Sequence, residues 1–539
     1  MQNGIERGLT TILYAIAAGT TAHALPQAPD VIVYDVAVSG SDTDDIAYYG
    51  QSGGIAAYSM ATQSCNQGTI PLDWYSSDNR HPVIGQNMFR YKDGHFEQLG
   101  YSWLKHGFCA VSETEAFCAP CLPDAGCDEL GVGCADTYWS TLNDGGSGRS
   151  KRFVNATLGS HVENGLGPSG VTAIRGRLQV AVADIDPTLN PGAEYFIEGQ
   201  YVTADDAAAG ASGNNCSWRR VVVNSVTNLV GGGPTNREQP AIQAWRVMDS
   251  GVTVRTVFNP EVPGYKALYM LGYRVTQTGP STWHYEYALQ NLTSDQSVDG
   301  FTVQVAPGVT VSNIGFHDVN AHSGDPYDTT DWPGVRNAGN VDWATTPFDV
   351  NPNANALRWG TLYNFRFDAD SPPANGMITL GLFKPGPLEH LSVRQVLVPD
   401  APPIAFDKFQ PHGDPTAEGS AVAPFVRTRN GGNINPQVFF EESAAVVGGT
   451  WKGRVDTHEP SLLLVSLAGP AQGRMTRMGE LLIRTPFTRQ AANDGPSLSI
   501  PSDPALVGAT FSAQAATLSS DGWRLTNALD VTVGAADAP

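Results

Sequence analysis

The chain has 539 residues and a formal net charge of −21, from 32 lysines and arginines against 53 aspartates and glutamates. Hydrophobic residues make up 41% of it, enough for folded cores, whereas charged residues are only 16%, below the roughly 25% of an average globular protein. The acidic balance and the lack of a lysine and arginine cluster argue against a nucleic-acid partner, and no apolar run is long enough for a membrane span. Such acidity either attracts cations such as calcium or only keeps the surface soluble.

The N-terminus, residues 1–24, has the features of a secretory signal peptide. Arg7 supplies a positive charge, Leu9–Ala18 are moderately apolar, and Ala22-His23-Ala24 fits a small-x-small cleavage site. We therefore expect a secreted protein, extracellular or periplasmic, with an ordinary cytosolic N-terminus as the alternative.

Residues 25–160 are predicted to form a turn-rich N-terminal region that contains most of the cysteines. Within it, half-apolar runs flank Lys92-Asp93-Gly94, and Asp-Gly between two such runs indicates a β-hairpin. The chain has seven cysteines, which are Cys65, Cys109, Cys118, Cys121, Cys127, Cys134 and Cys216. In an exported chain this clustering indicates a local disulfide framework; the CxxC at 118–121 leaves a zinc site or a redox pair as alternatives.

Residues 161–386 are predicted to form a central β-sandwich. Aromatic and β-branched residues alternate with polar ones on both sides of the turn at 278–281, which is the pattern of a long hairpin with one face buried. The Pro-rich residues 387–440 indicate a linker or surface excursion, and residues 441–535 indicate a smaller C-terminal sandwich. The fold class expected is therefore mostly β, with antiparallel sandwich or jelly-roll-like domains and a disulfide-containing N-terminal region.

The stretch "GFHDVNAHSGDPYDTTDW", residues 315–332, has the densest set of chemically versatile side chains. It follows a predicted strand, so it is expected to be a loop at the end of a sheet, where functional sites often lie. Its candidate metal ligands are His317, Asp318, His322 and Asp325, and its candidate ligand-binding residues are Tyr327, Asp331 and Trp332. The spacing matches neither HExxH nor an EF-hand, and Asp, Gly and Pro also make turns, so a structural loop remains the alternative.

A second candidate set lies in the N-terminal region. His81, His95 and His106 could hold a transition metal with one position open, if the fold brings them together. Calcium or a transition metal is thus the only cofactor that the sequence suggests, and the sequence identifies no catalytic residue.

Several phrases resemble segments of a family of large uncharacterised secreted proteins of environmental bacteria. They include "HPVIGQNMFR", "LGVGCADTYWSTLNDG", "WHYEYALQNL" and "NIGFHDVNAHSGDPYDTTDW", and the resemblance runs over roughly residues 50–385. The C-terminal stretch resembles a β module common in exported proteins of such bacteria. The resemblance implies export and β architecture, and it assigns no activity or catalytic residue.

Two functional hypotheses follow. The first is a secreted protein that binds glycan, other matrix material or the cell envelope, or is itself a structural component of that envelope. The second is a metal-dependent extracellular hydrolase or oxidoreductase acting on a polymer. Polysaccharide or envelope material is the expected partner in either case.

Overall fold

The computed structural model describes residues 27–399, apart from 39–44, 115–117, 125, 147 and 163–166. Beyond them it describes 425–429, 439–443, 445, 449–455, 461–466, 470–476, 479–483, 488–491, 497–500, 510–519 and 522–533. The predicted signal peptide and residues 400–424 of the predicted linker lie outside these residues. The chain divides into two compact units, 1–407 and 408–539.

The structure is 51% strand and 5% helix, and its sheets are antiparallel, so the predicted fold class is confirmed. The first sixteen strands are β1 Val31–Val36, β2 Ile46–Ser52, β3 Ile55–Met60, β4 Thr62–Asn66, β5 Leu72–Asp73, β6 Val83–Lys92, β7 His95–Tyr101, β8 Lys105–His106, β9 Glu129–Leu130, β10 Ala135–Tyr138, β11 Val154–Asn155, β12 Ser160–His161, β13 Leu178–Ala181, β14 Glu194–Val202, β15 Cys216–Ser225 and β16 Asn228–Asn236. Three short α-helices are α1 Val182–Ile185, α2 Ala204–Ala208 and α3 Ile242–Met248, and a 3-10 turn covers Lys151–Phe153.

These strands build the N-terminal part of the first unit. Its largest sheet has the order β16-β15-β14-β6-β7, with β8 beside β6. Smaller sheets have the orders β1-β4-β10, β13-β3-β2, β11-β12 and β5-β9. Because β6 pairs with β14 from Val83↔Val202 to Tyr91↔Glu194, strands from both sides of the boundary predicted at residues 160–161 share one sheet.

The strands β17 Thr253–Asn259, β18 Ala267–Gly279, β19 Thr282–Asn291, β20 Val298–Gln304, β21 Val311–His317, β22 Gly334–Arg336, β23 Asn340–Ala344, β24 Thr361–Ala369, β25 Pro373–Leu382 and β26 His390–Pro399 form a sandwich. Its two sheets have the orders β17-β18-β19-β24-β21 and β22-β23-β20-β25-β26. Aromatic side chains fill the space between them; Phe301 and Phe365, one from each sheet, stack with ring centroids 4.0 Å apart. Strand β26 lies within the predicted linker.

The second unit is also β. Its described strands are β27 Phe425–Arg429, β28 Phe439–Ser443, β29 Thr450–Val455, β30 Ser461–Ser466, β31 Pro470–Thr476, β32 Gly479–Ile483, β33 Thr488–Ala491, β34 Ser497–Ser499, β35 Thr510–Ser519 and β36 Gly522–Thr532. Sheets β27-β36-β35-β30-β33 and β28-β29-β34 surround a core that includes Trp451 and Phe511.

Both predicted hairpins are confirmed. Strands β6 and β7 pair up to Lys92↔His95, and the intervening Asp93 and Gly94 have φ of 53° and 91°. This left-handed backbone is why Asp-Gly closes a two-residue hairpin well. Strands β18 and β19 pair from Tyr269↔Asn291 to Gly279↔Thr282, and so form the long hairpin around the turn at 278–281.

The β6–β7 hairpin connects the N-terminal sheet to the sandwich. The Gln98 amide accepts a hydrogen bond from the backbone N–H of Leu362 at 2.7 Å and donates one to the carbonyl of Gly360 at 3.2 Å. Asn364 of β24 donates in return to the carbonyl of Phe96 at 3.0 Å. Because these groups are buried, each of these bonds also avoids the cost of an unpaired polar atom.

The cysteines form two disulfides, Cys65–Cys118 and Cys121–Cys134. The two cysteines of the CxxC motif are thus bonded to different cysteines, which excludes a redox pair or a zinc pair made of both. Cys109, Cys127 and Cys216 are free thiols. No helix in the described part of the chain is long and apolar enough to cross a membrane.

Removing the Cys121–Cys134 bond should destabilise the first unit. The bond links residues 13 apart, and in the chain-entropy model closing such a loop contributes about 3 kcal/mol to the free energy of unfolding. We expect the double variant Cys121→Ala, Cys134→Ala to unfold at lower urea than the parent under non-reducing conditions. Cys127→Ala is the matched control, and a double variant as stable as this control would contradict the disulfide.

Candidate metal centre

Two clusters among the described residues have the composition and spacing of a metal site. His81, His106 and His161 form the first, which we call the three-histidine cluster. His95, His284 and Glu286 form the second, which we call the Glu286 cluster. In each cluster the possible ligand atoms, one per side chain, all lie within 4.8 Å of one another. The clusters differ in what already occupies those atoms.

Short strands at the edge of the N-terminal sheet bring the three histidines together. His81 lies just before β6, and His106 ends β8, which pairs with β6 through Val83↔His106. His161 ends β12, which pairs with β11. The three ring centroids lie 4.6 to 5.2 Å apart. Side chains far apart in the chain therefore converge at one point because three separate strand ends meet there.

Hydrogen bonds to backbone carbonyls orient two of the rings. Nδ1 of His81 lies 2.8 Å from the carbonyl oxygen of Tyr75, and Nε2 of His161 lies 3.2 Å from the carbonyl oxygen of His81. Since a carbonyl only accepts, these two nitrogens carry the protons. The opposite nitrogen of His161, Nδ1, therefore keeps its lone pair for a ligand, whereas Nε2 of His81 accepts the proton of Nδ1 of His106 at 2.9 Å. This is the arrangement that fixes metal-binding histidines in other proteins.

Two nitrogens of the cluster have no hydrogen-bond partner. Nδ1 of His161 and Nε2 of His106 are both buried and unpaired in the described structure, while Nδ1 of His106 lies 2.9 Å from Nε2 of His81. Buried polar atoms without a partner are rare and commonly mark the place of an ion or water. A cation bound by these lone pairs would satisfy both atoms at once.

Burial keeps the imidazoles of His106 and His161 neutral. Burial, reinforced by the neighbouring histidines and Arg149, lowers the pKa of His106 to about 3. Burial and the nearby His81 lower the pKa of His161 to about 4. Because only the neutral ring can bind a metal, these two rings need no deprotonation at neutral pH.

In the Glu286 cluster the carboxylate already lies beside a protein cation, the guanidinium of Arg366. Oε2 of Glu286 lies 3.0 Å from Nδ1 of His95, 3.4 Å from Nε2 of His284 and 3.1 Å from Nε of Arg366. The register of β19 on β24 places Glu286 directly opposite Arg366. A metal at this oxygen would meet the guanidinium charge at close range. The cluster is therefore better described as a buried ion-pair network than as a metal site.

Arg366 extends this network to the β6–β7 hairpin. It pairs with Glu97 at 2.9 Å, and Arg90 pairs with the other oxygen of Glu97 at 3.0 Å. Burial alone would raise the pKa of Glu97, but His317, Arg366 and Arg90 outweigh it and lower the pKa to about 2. Gly315 permits the arrangement, because a Cβ there would lie 2.8 Å from Cγ of Arg366.

The structure does not gather the four predicted ligands of the 315–332 loop into one site. His317 ends β21 near Glu97, with its Nε2 buried and unpaired in the described structure. Asp318 accepts a hydrogen bond from the amide of Asn355, and burial raises its pKa. In the same loop, Asp328 accepts from the backbone N–H and the hydroxyl of Thr330, which is the turn-forming role of such a residue.

His322 and Asp325 have partners of their own. Nε2 of His322 lies 3.0 Å from the carbonyl oxygen of Arg177, and its Nδ1 accepts from the backbone N–H of Gly324 at 3.3 Å. Asp325 accepts from the hydroxyls of Tyr101 at 3.0 Å and Ser150 at 2.5 Å. Both residues thus hold the loop against the N-terminal region.

The three predicted ligand-binding residues of this loop occupy different environments. Trp332 is 1% exposed, its ring stacks on Phe316 with a centroid separation of 5.6 Å, and its indole N–H donates to the carbonyl of Asn355. Asp331 is exposed, and Tyr327 lines a cleft. Of the three, only Tyr327 lies where a ligand could be enclosed.

The set His81, His95 and His106 is brought together only in part. His81 and His106 are in contact, whereas His95 belongs to the Glu286 cluster, and His161 takes the third place. His161 is 55 residues from His106 in sequence, and no spacing motif points to it. Only the pairing of β11 with β12 places it beside the other two.

Comparisons with known proteins give no family. No protein-family model and no curated protein matches the chain. One solved structure that matches, Escherichia coli alpha-2-macroglobulin activated by porcine elastase, has a TM-score of 0.11 and 10% sequence identity. The match covers 95% of this chain and 41% of that one, so this chain spans less than half of that structure's length. It carries no argument about function, and the predicted family resemblance stays a prediction.

Neutralising Glu286 should destabilise the first unit strongly. Glu286→Gln removes the buried carboxylate that pairs with the half-buried Arg366, and breaking a buried pair typically costs about 3–5 kcal/mol in the free energy of unfolding. The matched control is Glu194→Gln, which removes the partially exposed pair with Arg220 and should cost less than about 1 kcal/mol. Equal effects of the two changes, measured by urea unfolding, would contradict the network.

His322 should make the fold acid-sensitive. Burial lowers its pKa to about 4, so between pH 6.5 and 4 the unfolded state binds a proton that the folded state does not. Stability is therefore lost as the pH falls through this window, by roughly 3 kcal/mol for this group. We expect His322→Gln to flatten the dependence of unfolding free energy on pH, whereas the exposed His390→Gln leaves it unchanged. An unchanged slope in His322→Gln would contradict the assignment.

Proposed function

We propose that this chain is an extracellular metalloprotein that binds polysaccharide or cell-envelope material and holds one transition-metal ion in the three-histidine cluster. The observation that carries the metal assignment is the pair of buried, unpartnered nitrogens on His106 and His161. The two disulfides agree with an oxidising, extracellular environment.

The ligand chemistry favours zinc or copper. The cluster offers imidazole nitrogens alone, which suit these two ions, whereas calcium takes six to eight oxygen ligands. The acidic composition that first suggested calcium is not reflected in this cluster. Both zinc and copper accept three histidine ligands. Metal analysis of the protein therefore has to identify which ion is bound.

Such an ion would join segments that are far apart in sequence. His81, His106 and His161 precede or end three different strands, and His106 and His161 are held by local backbone pairing. A metal bound only in the folded state stabilises that state by mass action. The ion would therefore hold the turn-rich edge of the N-terminal sheet in place.

The alternative function is a metal-dependent hydrolase or oxidoreductase acting on an extracellular polymer. One observation favours it: the cluster has three protein ligands, and catalytic zinc sites keep three protein ligands and one open position for water. His106 is the least buried of the three, so any such open position would be approached from its side.

Metal analysis tests the proposal directly. Purified protein incubated with zinc or copper(II) and then desalted should retain about one ion per chain, measured by mass spectrometry. His106→Ala and His161→Ala should each lose the ion, and the thermal midpoint of the parent should fall after chelation.

His284→Ala is the matched control, because it removes a histidine from the Glu286 cluster and should leave the ion content unchanged. Loss of the ion in this control but not in His161→Ala would assign the metal to the other cluster. Absence of a retained ion in the parent would overturn the metal proposal.

The two functions separate by a second assay. Retention of the parent protein on insoluble polysaccharide or isolated cell envelopes, without release of soluble products, supports the binder. Product release that disappears in His161→Ala supports the enzyme. If the parent protein shows no retention and no product release, both functions are overturned.

A further inference from the structure

A cleft on the first unit shares no lining residue with either histidine cluster and has an unusual charge. It measures about 200 Å³, and its walls come from the end of β7, the 3-10 turn and the segment between β23 and β24. Its cationic side chains are Lys151, Arg152, Arg358 and Lys384, and its anionic side chains are Asp295 and Asp325. Four cations face two anions in a chain whose net charge is −21.

Lys151 is the central feature of this cleft. Its side chain is buried, with 6% of the residue exposed, and its Nζ donates only long hydrogen bonds, to Oδ1 of Asn87 at 3.2 Å and to the carbonyl of Gly360 at 3.3 Å. The ammonium also lies 4.9 Å from the ring centroid of Tyr101 and 5.3 Å from that of Trp359. No carboxylate of the described residues forms an ion pair with it.

The structure holds this lysine in place instead of letting it reach solvent. Asn87, which accepts from Lys151, donates through its own amide to the buried Glu198 at 2.8 Å. A Cβ at position 360 would lie 2.5 Å from Nζ, so Gly360 leaves room for the ammonium. An ammonium fixed in a buried wall without a direct ion pair is costly, and an anion bound beside it would reduce that cost.

The carboxylates of the cleft do not fill this role. Asp325 is occupied by the hydroxyls of Tyr101 and Ser150, and Asp295 pairs with Lys384 at 2.8 Å. Burial lowers the pKa of Lys151 to about 8, and the charges of Glu198 and Asp325 offset this only in part. A bound anion would favour the charged ammonium more strongly than these two carboxylates do.

The other walls suit a sugar ring. Half-buried Tyr327 and Phe348 present aromatic rings to the cleft, and the guanidinium of Arg358 lies 3.9 Å from the centroid of the Tyr327 ring. Arg358 itself donates to the carbonyls of Pro352 and Ala354 at 3.0 and 3.1 Å, which fixes its guanidinium beside the Tyr327 ring. The volume is below the roughly 300–1,000 Å³ of sites that enclose drug-sized ligands, so it accommodates one sugar residue or a chain end.

We propose that this cleft binds an acidic sugar residue, with Lys151 as the counter-ion of its acidic group and Tyr327 as the wall for its ring. The acidic group is a carboxylate, as in a uronic acid, or a sulfate ester. The inference rests on the polymer-binding part of the proposed function and specifies its ligand class; it is independent of the metal centre.

Calorimetric titration at pH 7 and low salt tests it with D-glucuronate, D-glucose 6-sulfate and D-glucose as probes. We expect at least one acidic probe to bind and glucose to bind at least about tenfold more weakly, since hydrogen bonds to a charged group contribute roughly 1.5–3 kcal/mol. Comparison of the two acidic probes identifies the acidic group. Equal binding of all three probes, or of none, would overturn the inference.

Lys151→Met keeps the length and apolar stem of the side chain and removes its charge. It should weaken binding of the acidic probe about tenfold or more and leave the weak glucose binding unchanged. Arg358→Gln removes a second positive charge from the cleft and should also weaken binding of the acidic probe. It serves as the test if Lys151→Met does not fold. Arg80→Gln, an exposed arginine outside the cleft, is the matched control and should bind as the parent does.

The pH profile provides an independent measurement. Binding of the acidic probe to the parent should weaken as the ammonium loses its proton above neutral pH, and Lys151→Met should not show this loss. Unchanged affinity in Lys151→Met would overturn the role of the lysine. Retention of the parent on an acidic polysaccharide together with equal retention of Lys151→Met would overturn only this inference, whereas no retention on any polymer or envelope would overturn the polymer-binding function itself.

Discussion

The β6–β7 hairpin is the element on which the first unit depends. One of its strands extends the N-terminal sheet through β14, and the other lies against the outer face of the sandwich, where Gln98 and Asn364 exchange hydrogen bonds with opposite backbones. Such a contact between two sheets buries polar groups, and it is stable only because each of these groups has a partner. The candidate sites are all placed by this hairpin and the chain that follows it.

The same hairpin explains why two histidine clusters with similar spacing have different chemistry. At its closed end, His95 and Glu97 face a sandwich surface that carries Arg366 and Glu286, and Arg366 pairs with both carboxylates. At its open end, His81 contacts the rings of two other histidines and the backbone carbonyl of Tyr75. A group of ligand atoms near one another is therefore insufficient evidence for a metal. The deciding feature is whether the ligand atoms of the cluster already face a protein cation or still have lone pairs without a partner.

The cleft beside Lys151 also contains a group without a matching partner, and here that group is a positive charge. Asp325, the neighbouring carboxylate, is satisfied by two hydroxyl groups, and the lysine is left without an ion pair among the described residues. In the three-histidine cluster the unmatched groups are lone pairs, and in the cleft the unmatched group is a positive charge. Each imbalance indicates a ligand of the complementary kind. The two sites share no residue, so they can be tested separately.

Local patterns in the sequence determined much of the architecture. Alternating polar and apolar residues predicted the strands, Asp93-Gly94 predicted one hairpin turn, and the cysteine spacing predicted disulfides without their pairing. These features depend on neighbouring residues, so they can be recognised without knowing the fold. The position of the loop at 315–332, after a strand, was likewise predictable.

The ligand sets were decided by the tertiary structure alone. His81 and His106 were candidates from the sequence, but the registers of β6 with β8 and of β11 with β12 chose His161 instead of His95 as their neighbour. Lys151 has no sequence signature, because its importance comes from burial without a counter-ion, and burial is set by contacts between segments distant in the chain. The sequence by itself therefore determined the fold class and the residues available for chemistry, while strand register and burial decided which of those residues meet.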